Sequence, residues 1–173
     1  MLSDKLKSSL RVVATSIALS APLMGCFQPM YGGPSGQALV EDFRAIKVEP
    51  IGERIGHYLA NELTFLLNGT GAVAQPRYRL VISVKQRVQA PLVDTVSGRA
   101  TSGMLIVDAD YRLLPVAGGP PVASGVAFVT ASYDRTSQRF ANLRAARDAD
   151  IRSARGLADQ IRTRLAADLS RRP

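Results

Sequence analysis

A second cysteine is absent from the 173 residues. No intrachain disulfide can brace the fold, which therefore has to rest on packing. Histidine is equally scarce, with His57 alone. No serine, cysteine or carboxylate near His57 in sequence forms a triad signature. Clusters of histidine and carboxylate with metal-ligand spacing are missing, so no metal site or cofactor is expected. Gly32-Gly33 and Gly118-Gly119 lack the strand-to-helix setting of a phosphate loop. These gaps favour a binding or structural protein over an enzyme; the opposing reading makes His57 the base of a lipid-tethered enzyme with partners from distant segments. The chain holds no internal repeat. Nothing after Cys26 is long and apolar enough to cross a bilayer, which takes roughly 20 residues.

The one cysteine that is present closes Leu23-Met24-Gly25-Cys26. Ahead of it, Lys5, Lys7 and Arg11 form a positive n-region, and Val12 to Leu19 supplies an apolar stretch too short to span a membrane. Small Gly25 stands before a bond to be cut, and the Cys26 thiol stands after it to accept diacylglycerol. Residues 1–25 thus read as a lipoprotein signal peptide and Cys26 as the lipidated residue. The alternative is an ordinary secreted protein cut near Ala21, with Cys26 a free thiol. Two or three fatty chains, at about 0.8 kcal/mol per buried methylene, would hold the mature chain at a membrane almost permanently.

The net charge is +8, and removal of Lys5, Lys7, Arg11 and Asp4 with the signal lowers it to +6. That excess suits an anionic partner, and export disfavours nucleic acid, which leaves acidic glycolipid or an acidic protein surface. Arginines that merely solvate the surface are the competing explanation.

Residues 26–38 are rich in Gly and Pro without periodicity and read as a lipidated tether; residues 39–173 read as a single domain. A first strand is predicted over Phe43–Ile51, where Ile46/Val48 alternate with Lys47/Glu49. From Gly52 to Asn68 the period becomes helical, with Ile55, Leu59, Leu63, Leu66 and Leu67 on one side and Asn68-Gly69 as the stop. Strands follow from Tyr78, from about Arg99 to Leu114, and from about Val122 to Tyr133, with Gly118-Gly119-Pro120-Pro121 as a turn. Tyr78, Leu80, Ile82 and Val84 share one face of the first; Leu105, Val107, Ala109, Tyr111 and Leu113 share one face of the next. The apolar Met104 and Ile106 point outward, where a partner could cover them. A long helix over Asn142–Ser170 closes the chain, its stripe formed by Ile151, Ala154, Ala158, Ile161, Leu165 and Leu169. Asp148/Arg152, Arg155/Asp159 and Arg164/Asp168 stand four apart as candidate ion pairs. The expected fold is α+β: a two-layer sandwich in the order β-α-β-β-β-α, two helices on one face of a four-stranded, mostly antiparallel sheet.

One constellation suggests recognition. Arg79, Lys85 and Arg87 are spaced by even numbers on the polar face of a strand, with Arg77 and Arg99 as extensions. Such a row can hold phosphates or carboxylates by charge-assisted hydrogen bonds. The bland reading is that it keeps the sheet soluble and blunts strand pairing. Asp108, Asp110 and Arg112 read as a solvated stripe.

Cys26-Phe27-Gln28-Pro29-Met30-Tyr31-Gly32 is similar to the start of mature LptE-type lipoproteins of alphaproteobacteria, where a cysteine is closely followed by an aromatic, a proline and a Tyr-Gly pair. Phe140-Ala141-Asn142-Leu143, Arg147-Asp148-Ala149 and Leu157 to Leu165 resemble that family's closing helix. The resemblance implies a two-layer α+β fold and no catalysed reaction. It implies an outer-membrane lipoprotein on the periplasmic side that plugs the LptD β-barrel, helps it assemble and assists insertion of lipopolysaccharide into the outer leaflet. Phe27 in place of aspartate after the cysteine is compatible with delivery to the outer membrane. Arg79, Lys85 and Arg87 are then candidate contacts for glycolipid phosphates. The other expectation is a lipid-anchored periplasmic scaffold for another envelope complex, without glycolipid binding.

Overall fold

The computed structural model describes residues 33–69, 75–92, 95, 98 and 100–171. The signal segment and Cys26 lie outside these residues. In chain order the elements are α1 (Gly33–Arg44), β1 (Ile46–Val48), α2 (Glu53–Asn68), β2 (Tyr78–Gln89), β3 (Ser102–Pro115), β4 (Ala123–Asp134) and α3 (Arg139–Ser170). The four strands form one sheet in the order β1-β2-β3-β4. β1 pairs parallel to β2, and β2-β3-β4 is an antiparallel meander. The fold is the expected α+β sandwich, with α1 added before the first strand.

That added helix is the main departure from the sequence reading. Residues 33–38, assigned there to the tether, are the first turns of α1. Pro34 falls in the first turn, where its missing N–H costs no intrahelical bond, so a Gly-Pro start is compatible with a helix. Phe43, assigned to the first strand, lies on α1 and is buried, as is Leu39 one turn before it. β1 shrinks to Ile46–Val48 accordingly.

The remaining elements largely follow their periodicity, except that α3 begins at Arg139 and its predicted stripe residue Ile151 is only half-buried, with Asp150 and Ser153 buried beside it. On α2, Ile55, Leu59, Leu63 and Leu67 are buried, and the helix stops at Gly69 (φ 63°), whose N–H donates to the Phe65 carbonyl at 2.8 Å. That left-handed backbone is cheap only for glycine. On β3, Leu105, Val107, Ala109, Tyr111 and Leu113 are all buried and the residues between them are not. Gly118 and Gly119, both at positive φ, carry the turn from β3 to β4. Ile46, Leu80, Leu59, Leu63, Val107, Leu113, Leu157, Ile161 and Leu165 fill the core between sheet and helices.

The inner face of β4 is built small. Ala123, Ala127 and Ala131 are buried there, opposite a face of α3 that buries Ala149, Ser153, Ala154, Ala158 and Ala166. A Cβ on Gly156 of α3 would stand 3.2 Å from Val129. Small side chains on both partners let helix and strand approach closely. Two tyrosines complete this layer: Tyr111 lies across from Gly125, and Tyr133 across from Gly103. A Cβ on Gly125 would come 2.7 Å from the Tyr111 hydroxyl, and one on Gly103 would come 2.4 Å from the Tyr133 ring. Each ring thus covers the space a cross-strand glycine leaves.

Candidate binding face

Alternation along the strands sends one set of side chains into the core and the other onto a face that none of the described helices covers. β2 contributes Arg79, Val81, Ser83, Lys85 and Arg87 to this outer face. β3 contributes Met104, Ile106, Asp108, Asp110, Arg112 and Leu114, and β4 contributes Ser124, Val126, Phe128, Thr130 and Ser132. The register sets which of them are neighbours. Lys85 stands across from Asp108, and Asp108 across from Phe128; Arg87 stands across from Ile106. The face is thus basic on β2, carries Asp108 and Asp110 amid apolar residues on β3, and presents half-exposed Val126 and Phe128 among hydroxyl residues on β4.

All three residues of the predicted basic row are exposed and project from this one face. Their surroundings differ. Arg87 Nη2 donates to Asp108 Oδ2 at 2.9 Å. Lys85 faces the same carboxylate in register. Arg79 stands beside Lys47 of β1 and across from Leu114. Lys47 in turn sits 4.0 Å from Glu49. Arg77 does not extend the row: it donates to Asp42 of α1 at 2.7 Å, with its guanidinium 5.9 Å from the centre of the Tyr78 ring. Arg99 lies outside the described residues. Lys47 and Arg112 join the face from neighbouring strands, which strand periodicity alone could not reveal because it gives no register between strands.

An exposed ion pair such as Arg87–Asp108 contributes only about 0–1 kcal/mol. A phosphate offers arginine a shorter, bidentate partner. The carboxylate is thus a weak competitor for Arg87, although it halves the positive charge that Lys85 and Arg87 jointly present. A shallow depression of about 460 Å³, lined by Asp110, Tyr111, Arg112, Ser124, Gly125 and Val126, lies on the β3–β4 side.

His57 is exposed on α2, its Nε2 3.2 Å from Asn61 Nδ2. Neither a nucleophile nor a carboxylate accompanies it in these contacts. No group of three or more histidine, cysteine or carboxylate side chains is placed to hold a metal among the described residues.

No protein-family model matches the chain, and no curated protein matches it. Solved structures do resemble it. A candidate lipoprotein from Caulobacter crescentus CB15 superposes with a TM-score of 0.65 at 24% identity, covering 79% of this chain and 98% of that one. A minor lipoprotein from Acinetobacter baumannii gives a TM-score of 0.54 at 17% identity over 72% and 91% of the two chains. Lipoprotein B from Nitrosomonas europaea gives 0.52 at 17% identity over 73% and 83%. The chain shares the fold of these bacterial lipoproteins.

Proposed function

We propose that this chain is a non-enzymatic outer-membrane lipoprotein, anchored through Cys26, that plugs the LptD β-barrel from the periplasmic side and assists lipopolysaccharide insertion. The observation that carries this reading is a conjunction: Leu23-Met24-Gly25-Cys26 opens a chain whose folded part superposes on a lipoprotein structure at a TM-score of 0.65. The open sheet face supports it, because a surface that mixes cations, carboxylates and apolar groups can line a barrel wall and still meet acidic glycolipid. Arg79, Lys85 and Arg87 are the proposed phosphate contacts, joined by Lys47 beside Arg79.

The test is purification of the tagged chain from its native envelope in detergent. A large outer-membrane barrel in equal amount supports the plug. Recovery alone, or with soluble partners, overturns it and leaves a scaffold for another envelope complex. That second reading draws on Asp108 and Asp110, which offset the basic row. Glycolipid binding separates the two: Lys85→Glu with Arg87→Glu should weaken it about tenfold or more if phosphates sit there.

A further inference from the structure

The two margins of the sheet are finished differently. In a strand, the N–H and C=O of one residue point to the same side, and successive residues alternate. Glu49 N–H donates to the Leu80 carbonyl at 3.0 Å, so the even-numbered residues of β2 face β1. β1 ends at Val48, which pairs with Leu80. Beyond it, Ile82, Val84, Gln86 and Val88 turn their backbone groups away from β3 and find no backbone partner among the described residues.

The opposite margin is closed. The even residues of β4 face outward there, and α3 reaches across to them. Gln160 accepts from the Phe128 N–H at 3.3 Å and donates to the Phe128 carbonyl at 2.9 Å. Arg152 donates to the Ser132 carbonyl at 2.9 Å, and Arg164 to the Val126 carbonyl. Side-chain amide and guanidinium groups thus replace the strand that β4 lacks. No comparable side chain satisfies Ile82 to Val88 among the described residues, and neither proline nor glycine interrupts the stretch.

We propose that the open margin of β2, from Ile82 to Val88, accepts an extended segment of a partner protein as a fifth strand. Backbone hydrogen bonds would supply the pairing and alternate side chains the selection. On the outer face the incoming strand would meet Lys85 and Arg87, so it carries acidic residues at alternate positions. On the other face it would meet Val84 and the exposed Val88, so it carries apolar residues between them. A second copy of this chain fits poorly. The antiparallel two-fold register that uses the whole stretch sets Lys85 against its own copy, and like charges directly opposed are unfavourable.

The test uses the full chain in detergent and two short fluorescein-labelled peptides, one alternating valine with glutamate and one valine with lysine. The glutamate peptide should bind about tenfold more tightly, since each of two cross-strand pairs changes from attraction to repulsion. Hydrogen exchange should slow at the amides of Ile82, Val84, Gln86 and Val88. Lys85→Glu with Arg87→Glu should reverse the preference without touching the backbone. Gln86→Pro removes an outward-facing donor at an exposed site and should cut binding about tenfold while β3–β4 exchange stays unchanged. Equal binding of both peptides, or slowed exchange only elsewhere, overturns the proposal. Slowed exchange at these amides through self-association without peptide overturns it in favour of a second copy.

Discussion

Replacing Arg54 with methionine should destabilise the domain by about 2–3 kcal/mol. Arg54 of α2 sends both Nε (2.9 Å) and Nη2 (2.6 Å) to Asp150 Oδ2 of α3. The Asp150 side chain is only 6% exposed, whereas that of Arg54 is 63% exposed. Removing one partner of a fully buried ion pair costs about 3–5 kcal/mol, mostly because the remaining charge is stranded. Here one partner is largely solvated, and a hydrogen bond to a charged group is worth about 1.5–3 kcal/mol, so the lower range applies. Methionine keeps the hydrophobic stem and isolates the charge effect. At about 4 °C per kcal/mol for a domain of this size, the melting temperature should fall by about 8–12 °C. Urea unfolding would give the free energy directly. Adding Asp150→Leu to Arg54→Met should recover most of the loss, since the stranded carboxylate is then gone. A loss under about 0.5 kcal/mol, or a double variant no more stable than Arg54→Met, would refute the reasoning.

Gly125→Ala should cost about 1–3 kcal/mol in urea unfolding, because the new methyl collides with the Tyr111 hydroxyl, while Gly125→Ala with Tyr111→Leu should lose less. Gln160→Ala removes both bonds to the outer edge of β4 and should cost about 1–2 kcal/mol, with concentration-dependent association appearing by light scattering. Burial pushes the Tyr111 phenol above its ordinary 10.0, with Arg164 opposing the rise and Asp168 adding to it. A raised folded value means that this contribution to stability is complete below about pH 10 and is lost as pH climbs through the folded value. Tyr111→Phe should therefore flatten the alkaline limb of a stability–pH curve, whatever it does to stability at neutral pH.

Elements whose residues alternate or recur cleanly were legible in the sequence. The inward set of β3 and the stripe of α2, apart from half-buried Leu66, are buried as their spacing requires, because one face of each has a single place to go. α1 was hidden because Gly33-Pro34-Ser35-Gly36 carries turn residues, and only Leu39 and Phe43 mark its apolar side. Of the charge pairs four apart on α3, Asp148–Arg152 forms, while Arg155 instead reaches Glu62 at 4.0 Å and Arg164 the Val126 carbonyl. The helix favours an acid placed before its base, and only the first pair has that order. For the basic row, period two correctly put Arg79, Lys85 and Arg87 on one face. It could not show that Asp108 stands opposite Lys85, since register is a property of two strands.

The parallel pairing of β1 with β2 has a consequence for the order in which the protein can be built. In a chain made from its N-terminus at about 5–20 residues per second, Val48 emerges about 30 residues before Tyr78, the first residue able to pair β1. The meander that follows needs shorter connections, residues 90–101 and 116–122, so its strands can pair sooner after they appear. β1 has the longer loop to close, residues 49–77, and should join the sheet edge after the meander has formed. The N-terminal part of the domain, the first to be made, should therefore be the last to dock.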